Sequence, residues 1–462
     1  MILPGPQLAL GLPKYQQSNA PSQSPSSQVS HPPDPPLLIR NLPFAIPRMD
    51  ILFIVPYVPS LIRVRPYNLI RSLTARGHRV TVMTLSTNEE DDVARLEDHC
   101  HRVYAYDLPT WRALCNALTA LPTHTPLQAM YSWQPALANQ CLELLQNGNK
   151  TSPSYVIHIE HLRGSRYGLH LKKYLTKPGL QAPIIWDSVD CITHLFSQAA
   201  ARSQKITSRW LTRFELGRTR RYERYLVEQF DQVLVTSQVD RQALLSLIPA
   251  GDPPPNVSVL PNGVDFTYFC PDKKVVREPA TLVVTGKMSY HANVTMVLYL
   301  VNEIMPRIWA RKPEVKLWII GKDPSNKIKN LAHEPAITVT GTVDDIRPYL
   351  RSATISVAPI QYGAGIQNKI LEAMACEIPV ISTSPTVSAL DVQPGQDLLV
   401  ADDPARFAEN VLILLDDPDR QRKIGAAGRR YVEQHHNWDH IAARLEEVYL
   451  TAIDRKQSEV SK

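Results

Sequence analysis

"ISVAPIQYGAGIQNKILEAMACEIPVIST", residues 355–383, contains an apolar run, a glycine-bearing turn, a helical pattern and a second apolar run. Both runs, "ISVAPI" (355–360) and "PVIST" (379–383), are short and rich in branched residues, as strands covered on both faces are. On a helical wheel the apolar residues between them fill one half, and Lys369 and Glu372 lie on the other. This order of elements predicts a parallel α/β sheet with a polar helix face next to a strand end.

The same alternation extends in both directions along the chain. Strands are predicted for "ILFIVPY" (51–57), "RVTVMTL" (79–85), "YVIHIE" (155–160), "PIIWDSV" (183–189), "QVLVTS" (232–237), "TLVVTG" (281–286), "VKLWIIG" (315–321), "ITVTG" (337–341) and "DLLVA" (397–401). Helices are predicted for 294–311, 345–352, 367–376, 404–416 and 420–435, with a long basic helical stretch at 200–229. These elements predict an α/β chain with two doubly wound parallel-sheet domains that face a cleft.

Composition changes predict where these domains begin and end. Residues 1–48 are rich in Pro, Ser and Gln, which predicts a disordered tail, and Met49 could be the true start. The breaker-rich stretch "DPPPNVSVLPNGVD" separates a first Rossmann-like domain (49–260) from a second one (261–437). The amphipathic segment 438–456 then predicts a helix that crosses back to the first domain, followed by a short tail, 457–462.

Charge and cysteine spacing exclude several classes of function. The net charge of +6 suits acidic small molecules or anionic lipid headgroups, but it is too small to indicate a nucleic-acid partner. Six scattered cysteines without CxxC spacing predict reduced thiols, neither a disulfide framework nor a zinc site. No apolar run approaches the roughly 20 residues that span a bilayer, and the amino terminus lacks a signal-peptide pattern. We therefore expect a cytoplasmic protein.

The turn at 363–365 and the helix after it have two interpretations. Glycines let backbone amides approach a ligand, and a helix amino terminus carries partial positive charge that suits a phosphate. Lys369 would add a full charge there, and Glu372 could accept hydrogen bonds from two sugar hydroxyls. The alternative is a solvated Lys–Glu pair at i,i+3, worth about 0.2–0.5 kcal/mol. The position at a strand's carboxyl end favours the ligand site.

Five segments in order resemble the GT-B glycosyltransferases of family 4, the retaining, metal-independent class. These are the stretch around residues 363–383 together with "LPNGVD" (260–265), "VTGKMSYHANV" (284–294), "LWIIGKDP" (317–324) and "VTGTVDDIRPYLRSATISVAPI" (339–360). The resemblance covers essentially all of residues 49–452. It is greatest to sugar transferases associated with bacterial exopolysaccharide clusters of the PEP-CTERM/EpsH type.

The resemblance implies roles for residues of the second domain. Glu372 corresponds to the second Glu of the family's E-x7-E element, which binds ribose, whereas Ala364 replaces the first Glu, which contacts the donor sugar. Lys369 and Lys287 would stabilise the departing diphosphate, and main-chain groups of Thr342 and Val343 would meet the base. The predicted nucleotide-sugar site comprises Gly286, Lys287, Thr342, Val343, Gly363, Ala364, Gly365, Ile366, Gln367, Lys369 and Glu372.

In the first domain, strand ends supply the candidates. Glu160 and His161 are predicted to act in catalysis, because the family often has a His near this position against the donor sugar. His158, Arg63 and Arg65 are predicted to line the acceptor side of the cleft, although one of the two arginines could equally be structural. "WDSVD" ends another strand. We interpret Asp187 and Asp190 there as helix caps, not as metal ligands.

The sequence thus predicts a retaining hexosyltransferase that uses a nucleotide-diphosphate sugar, with no cofactor and no metal. The acceptor would be a glycan or a lipid-linked molecule, in cell-surface or exopolysaccharide synthesis. The basic stretch 202–226 would allow peripheral contact with the inner face of the membrane, although a solvated helix is the simpler alternative. Two other functions stay open: a UDP-sugar 2-epimerase-type isomerase and a non-catalytic GT-B scaffold.

Overall fold

The structure is a computed structural model of the full chain. It describes residues 47–87, 89–148, 154–175, 181–202, 206–362 and 365–460. The predicted disordered tail, 1–48, lies outside these residues except for Pro47 and Arg48.

The first sheet is wholly parallel and has seven strands among the described residues. They are β1 (Asp50–Val55), β2 (Arg79–Ser86), β3 (Arg102–Asp107), β4 (Tyr155–Glu160), β5 (Ile184–Val189), β6 (Gln232–Val235) and β7 (Val257–Val259). Their order across the sheet is β3-β2-β1-β4-β5-β6-β7, so the order reverses between β1 and β4. A ligand crevice is expected at such a switch point, outside the carboxyl ends of the strands.

Helices cover this sheet. They are α1 (Val64–Ala75), α2 (Glu90–Glu97), α3 (Thr110–Ala120), α4 (Leu127–Tyr131), α5 (Pro135–Gly148), α6 (His161–Leu175), α7 (Ile192–Arg202), α8 (Ile206–Gln229) and α9 (Gln238–Leu245). The central strands β1 and β4 are buried along their whole length, which explains their nearly continuous apolar sequences.

The second sheet repeats this topology. Its strands are β8 (Thr281–Thr285), β9 (Lys316–Ile320), β10 (Ile337–Gly341), β11 (Ile355–Ala358), β12 (Val380–Ser382) and β13 (Leu399–Val400). They are parallel and ordered β10-β9-β8-β11-β12-β13, which places a second switch point between β8 and β11. The prediction of two doubly wound domains is therefore confirmed.

The helices of the second half surround this sheet. They are α10 (His291–Tyr299), which continues through a π-helical turn (Leu300–Ile304) into α11 (Met305–Trp309), then α12 (Asn326–Lys329), a 3₁₀ turn (Asn330–His333), α13 (Arg347–Ser352), α14 (Asn368–Ala375), α15 (Ser384–Val387), α16 (Pro404–Asp416), α17 (Pro418–His435) and α18 (Trp438–Val460). Helix α14 is the helix predicted at 367–376. Its buried side packs into the core through Ile370, Leu371 and Met374.

Helix α18 returns to the first sheet, as predicted. It packs against α1 and β4. Buried Glu446 accepts hydrogen bonds from Arg76 at 2.5 and 2.7 Å. The backbone N–H of Met49 donates to His78 Nδ1, so His78 Nε2 carries the proton and donates to Glu446 at 2.7 Å. Burial alone would raise the pKa of Glu446, but the hydrogen bonds from His78 and Arg76 outweigh it and hold that pKa below its usual range.

Sequence patterns missed two strands and merged two helices. Strand β3 alternates exposed and half-buried residues at a sheet edge, so it lacks an apolar run. Strand β7 has only three residues and lies inside the breaker-rich stretch. The basic stretch 200–229 contains the end of α7 and all of α8, not one helix.

None of the helices in the described part of the chain combines the length and the apolarity that crossing a bilayer requires.

A substitution at Gly425 tests how α17 supports α14. A Cβ built on Gly425 would lie 2.2 Å from the carbonyl oxygen of Glu377, the residue that leaves α14 with a φ of 57°. Since backbone cannot move as a side-chain tip can, Gly425→Ala should lower the free energy of unfolding by about 1–3 kcal/mol. Urea unfolding measures the change.

The matched control is Gly217→Ala in α8, where a Cβ meets nothing within 4 Å. It should leave stability unchanged or raise it by up to about 1 kcal/mol. Equal effects of the two substitutions would contradict the packing assigned to α17.

Candidate active site

The carboxyl ends of the two sheets meet across a cleft at the turn before α14. Gly365 has a φ of 68°, and a Cβ placed on it would lie 2.0 Å from Asp190 Oδ1 and 3.2 Å from Thr236 Oγ1. Asp190 and Thr236 follow strands β5 and β6 of the first sheet, whereas Gly365 follows β11 of the second. Gly365, in the turn that the sequence predicts to bind a ligand, is therefore one of the places where the two domains touch.

Helix α14 presents open backbone donors at its amino end. Its N-cap, Gln367, makes no side-chain hydrogen bond to the helix, so the first amides lack the usual side-chain partner. Asn368 is the first helical residue and accepts a hydrogen bond from Asn262 Nδ2 at 3.3 Å. Asn262 belongs to the segment that joins the domains, so this contact ties the start of α14 to that segment.

Lys369 is held over the loop that follows β8. Its Nζ donates to Asn293 Oδ1 at 2.5 Å, and Asn293 Nδ2 donates to the carbonyl of Lys287 at 3.0 Å. A Cβ on Gly286 would lie 3.3 Å from Lys369 Nζ and 2.8 Å from Asn293 Nδ2. Only glycine leaves this space open, because Gly286 also has a φ of 148°. The ammonium group is thus fixed at the carboxyl end of β8.

Glu372 lies one turn further along the same half-exposed helix face. Burial raises its pKa to about 7, and the nearby Lys369 opposes this effect. Burial lowers the pKa of Lys369 to about 8, which Glu372 in turn opposes. The two side chains form no ion pair with each other. The backbone carbonyl of Glu372 accepts a hydrogen bond from Cys376, but its carboxyl group has no hydrogen-bond partner among the described residues and remains available to a ligand.

The other predicted residues of the second domain are dispersed around this centre. Lys287 is half-exposed, and its Nζ lies 3.8 Å from Asp323. Thr342 is exposed and Val343 packs partly on the core, just after β10. Ile366 is buried. Gly363 and Ala364 lie outside the described residues.

Glu160 and His161 end β4 but differ in access. Glu160 is buried; its Oε1 accepts a hydrogen bond from Tyr57 at 2.8 Å, and its Oε2 has no partner. Burial and then Asp187 raise the pKa of Glu160 to about 8. His161 is partly exposed with a φ of 64°, and burial followed by Arg163 lowers its pKa to about 3. Burial thus favours the neutral form of both Glu160 and His161.

Two predicted cleft residues are buried instead. His158 is fully buried between Phe53, whose ring stacks at 4.1 Å, and Tyr449 of α18, whose hydroxyl lies 2.8 Å from Nδ1. The prediction that His158 faces the cleft was wrong, because α18 covers this face of β4. Arg65 is also buried and does not line the cleft, so it fits the alternative that one of the two arginines is structural. Its guanidinium is engaged by Asp187 and by the inter-domain segment.

Arg63 keeps partial access at the end of β1. It pairs with Glu89 at 2.8 Å, donates to the carbonyl of Val58 and lies over the ring of Tyr57. Its charge is therefore partly compensated by the protein.

The interpretation of Asp187 and Asp190 as helix caps was wrong. The first amides of α7 donate to Glu223 and Asp240, two carboxylates distant in sequence. Asp187 instead pairs with Arg65 at 2.7 Å, and Asp190 lines the cleft. Together with Asn293, Asp190 is a site residue that the sequence interpretation missed. The available signal was its position immediately after the end of a buried strand, β5.

Comparison with known proteins agrees with this architecture. Residues 62–263 match the family described as "Glycosyl transferase 4-like domain", and residues 279–417 match "Glycosyl transferases group 1". With its two parallel-sheet domains and these two matches, the chain is similar to the GT-B glycosyltransferases in fold. The predicted GT-B fold is confirmed.

Individual relatives are transferases and synthases. The chain is 31% identical over 258 residues to an alpha-maltose-1-phosphate synthase of Mycolicibacterium smegmatis, covering 49% of this chain and 65% of that protein. It is 28% identical over 215 residues to a GDP-mannose-dependent monoacylated alpha-(1-6)-phosphatidylinositol monomannoside mannosyltransferase of Corynebacterium glutamicum, covering 41% of this chain and 55% of that protein. The chain thus spans somewhat over half the length of these relatives.

Solved structures share the fold. Sucrose-phosphate synthase from Thermosynechococcus elongatus superposes with a TM-score of 0.62 at 19% identity, over 88% of this chain and 100% of that one. Anabaena HepE in complex with UDP and glucose superposes with a TM-score of 0.60 at 14% identity, over 87% of this chain and 100% of that one.

The raised pKa of Glu372 predicts a pH-dependent cost in stability. Because its pKa is about 7 in the folded chain and ordinarily 4.5, ionisation penalises the folded state as the pH rises between these values. The stability of the wild type relative to Glu372→Gln should therefore be highest below about pH 4.5 and fall as the pH rises through about 7. The lowered pKa of Lys369 affects stability only at higher pH, between about 8 and 10.5, so it does not interfere with this comparison.

Urea unfolding of both proteins from about pH 4.5 to about pH 7.5 measures this difference. Glu334→Gln is the matched control, since Glu334 is exposed on the same domain. A constant difference between wild type and Glu372→Gln across this range would contradict the environment assigned to Glu372.

Proposed function

We propose that this chain is a retaining glycosyltransferase that moves a hexosyl unit from a nucleotide-diphosphate sugar to a glycan or lipid-linked acceptor. One observation carries the proposal: the Lys369 ammonium and the uncapped start of α14 converge at the cleft between two Rossmann-like domains. The two matched glycosyl transferase domains support it. The epimerase-type alternative is not favoured, since the relatives compared above are transferases and synthases.

The proposed chemistry uses fixed positive charge. When the bond between the anomeric carbon and the diphosphate oxygen breaks, negative charge accumulates on the departing phosphate. Lys369, Lys287 and the α14 amides would stabilise that charge more in the transition state than in the ground state. With a pKa of about 8, Lys369 is mostly protonated near pH 7. These groups would let the reaction proceed without a cofactor or a metal ion.

Retention requires the acceptor to approach from the side of the leaving group. The acceptor oxygen would bond to the anomeric carbon while its proton passes to a phosphate oxygen of the departing diphosphate. His161 Nδ1 accepts the amide of Arg163 at 3.3 Å, so Nε2 carries the proton and could donate to the donor sugar. Buried Glu160 would position Tyr57 at the end of β1 through their hydrogen bond.

The nucleoside would lie along the second domain. Glu372, whose carboxyl group has no hydrogen-bond partner among the described residues, would accept the ribose hydroxyls, and main-chain groups of Thr342 and Val343 would contact the base. The transfer would take place in exopolysaccharide synthesis. The sequence resemblance described above supports this part of the proposal.

A surface of the first domain supports a lipid-linked acceptor. Helix α3 buries its small residues Ala113, Ala117 and Ala120 and exposes its large apolar ones, an inversion of the usual helix pattern. The exposed side chains, which we call the α3 stripe, are Trp111 (63%), Leu114 (40%), Leu118 (61%) and Leu121 (49%). Their spacing of three and four residues places them on one side of the helix.

A basic face adjoins the α3 stripe. Arg218 of α8 donates to the carbonyls of Ala120 and Thr123, which fixes α8 beside the end of α3. Arg213, Arg220, Arg221 and Arg224 of the same helix are exposed, and Arg221 lies 3.4 Å from His124, just beyond α3. An apolar stripe with adjacent cations fits an anionic lipid surface. We propose that the chain contacts the inner face of the membrane there.

If α14 binds the donor, replacing either Lys369 or Glu372 by alanine should lower the turnover of sugar transfer. Lys369→Ala should lower the rate of sugar transfer by about 10²–10³-fold, because a preorganised charge at the leaving group is removed. Glu372→Ala should weaken binding of the donor. The rate is measured as consumption of each donor in a panel of UDP- and GDP-sugars. Nucleotide binding is measured by calorimetric titration with UDP and GDP.

Lys327→Ala provides the matched control, since Lys327 is an exposed lysine of the same domain. Near-wild-type rates for both Lys369→Ala and Glu372→Ala would defeat the assignment of α14 as the donor site.

The membrane assignment predicts binding to anionic vesicles. Wild-type protein should sediment with phosphatidylglycerol vesicles and not with phosphatidylcholine vesicles, and salt should weaken the interaction. Leu118→Ser should reduce binding because it removes apolar area from the α3 stripe. Val276→Ser, at an 87% exposed residue outside the stripe, should not. Equal sedimentation of wild type with both lipids would rule out this surface.

A further inference from the structure

The backbone just before Asp190 has an unusual conformation that directs the Asp190 side chain into the cleft. Val189, just before it, has a φ of 68°, a left-handed backbone conformation that is rare and strained for a β-branched residue. The pairing of β5 with β6 shifts register between Asp187 and Val189. Such irregularities often redirect a side chain next to a binding site. The chain therefore leaves β5 in a strained geometry that turns the Asp190 carboxyl toward the second domain.

The Asp190 carboxyl group is only partly occupied by the protein. Its Oδ1 accepts a hydrogen bond from Thr236 at 3.3 Å, whereas Oδ2 has no hydrogen bond within the described ranges. Asp190 is half-buried and has no basic side chain as an ion-pair partner there. Burial and the neighbouring Asp240 raise its pKa to about 7. Because Asp190 lines the pocket and its Oδ2 is not paired by the described protein, this oxygen is available to a ligand.

Asp190 also touches the turn that precedes α14. The contact with Gly365 described above leaves no room for a side chain at that position. The carboxyl group of the first domain thus reaches the start of the proposed donor site in the second. In the sequence, the position before Gly365 is Ala364, which has no polar side chain.

The pocket around Asp190 has the chemistry of a sugar site. Its polar lining is a carboxyl, two phenols and two amides, from Asp190, Tyr290, Tyr362, Asn293 and Gln367, and its apolar lining comes from Leu195, Ala292 and Ile360. Asn293 is the same residue that binds Lys369 Nζ. The pocket therefore adjoins the position proposed for the diphosphate. Several acceptors and donors in one small space suit a ligand group with several hydroxyls.

We propose that Asp190 binds hydroxyl groups of the sugar that the donor carries, as a second first-domain contact to that sugar besides the one proposed for His161. This inference rests on the proposed function. A nucleoside diphosphate contacts the second domain alone, whereas its glycosylated form also contacts Asp190 of the first domain. Asp190 is therefore a specificity determinant for the glycosyl group, distinct from the groups that hold the nucleotide.

Calorimetric titration of Asp190→Ala tests this division. The probes are UDP, GDP, UDP-glucose and GDP-mannose, applied to wild type and variant. Loss of a hydrogen bond to a carboxyl group should weaken binding of the preferred sugar nucleotide by about 10–100-fold, while affinity for the bare nucleoside diphosphate stays within about twofold. Asp190→Asn, which keeps one acceptor oxygen, should fall between wild type and Asp190→Ala.

The control is Asp252→Ala, an exposed carboxylate of the first domain away from the pocket, which should bind all four probes like wild type. Thermal unfolding of each variant verifies that it is folded. Equal weakening for nucleotide and sugar nucleotide, or no weakening, would overturn the role of Asp190 and leave the proposed function standing. Absence of any nucleotide binding by wild type would overturn the proposed function and this inference with it.

Discussion

The buried guanidinium of Arg65 joins the parts of the molecule from which the site is built. Its Nε and Nη2 bind Asp187 Oδ2 at 2.9 and 2.7 Å, and its Nη1 binds Asn262 Oδ1 at 2.9 Å and the carbonyl of Pro261. Asn262 in turn donates to Asn368, the first residue of α14. One side chain thus connects the end of β5, the inter-domain segment and the helix that carries Lys369. A buried ion pair of this kind contributes little net stability but fixes geometry.

Charge is distributed unequally across the cleft. Burial raises the pKa of Glu160 to about 8 and of Asp190 to about 7, so these first-domain carboxyls resist ionisation near neutral pH. The second domain contributes the ammonium of Lys369 and the start of α14. A pyrophosphate entering the cleft would therefore meet positive charge on one wall and largely neutral hydrogen-bonding groups on the other. Perturbed pKa values gathered in a cleft are typical of functional sites.

Local sequence patterns were sufficient for the parts of the fold that depend on local physics. The apolar runs of the second domain predicted its strands, and α16 was predicted with its observed ends, because Asp403 caps it before Pro404. Helical spacing beside a strand end predicted that Lys369 and Glu372 share one helix face next to a turn, and the structure has them on that face of α14. The exposed edge strand β3 was missed because it has no apolar signal.

Long-range contacts account for the remaining errors. Nothing near Arg65 or His158 in the sequence indicates that Asp187, Asn262 and Tyr449 bury them. Asp190 resembled a helix cap because the residues that cap α7, Glu223 and Asp240, lie more than thirty positions away. The inverted exposure of α3 likewise depends on what packs beneath its alanines. Such features depend on which helices and strands pack against each other. Local sequence patterns do not reveal these long-range contacts.

A crystal structure of the chain with a bound, unreactive sugar nucleotide tests the central claim most directly. The account predicts diphosphate oxygens within about 3.2 Å of Lys369 Nζ and of the first amides of α14. A nucleotide bound elsewhere, with Lys369 still directed only at Asn293, would contradict it.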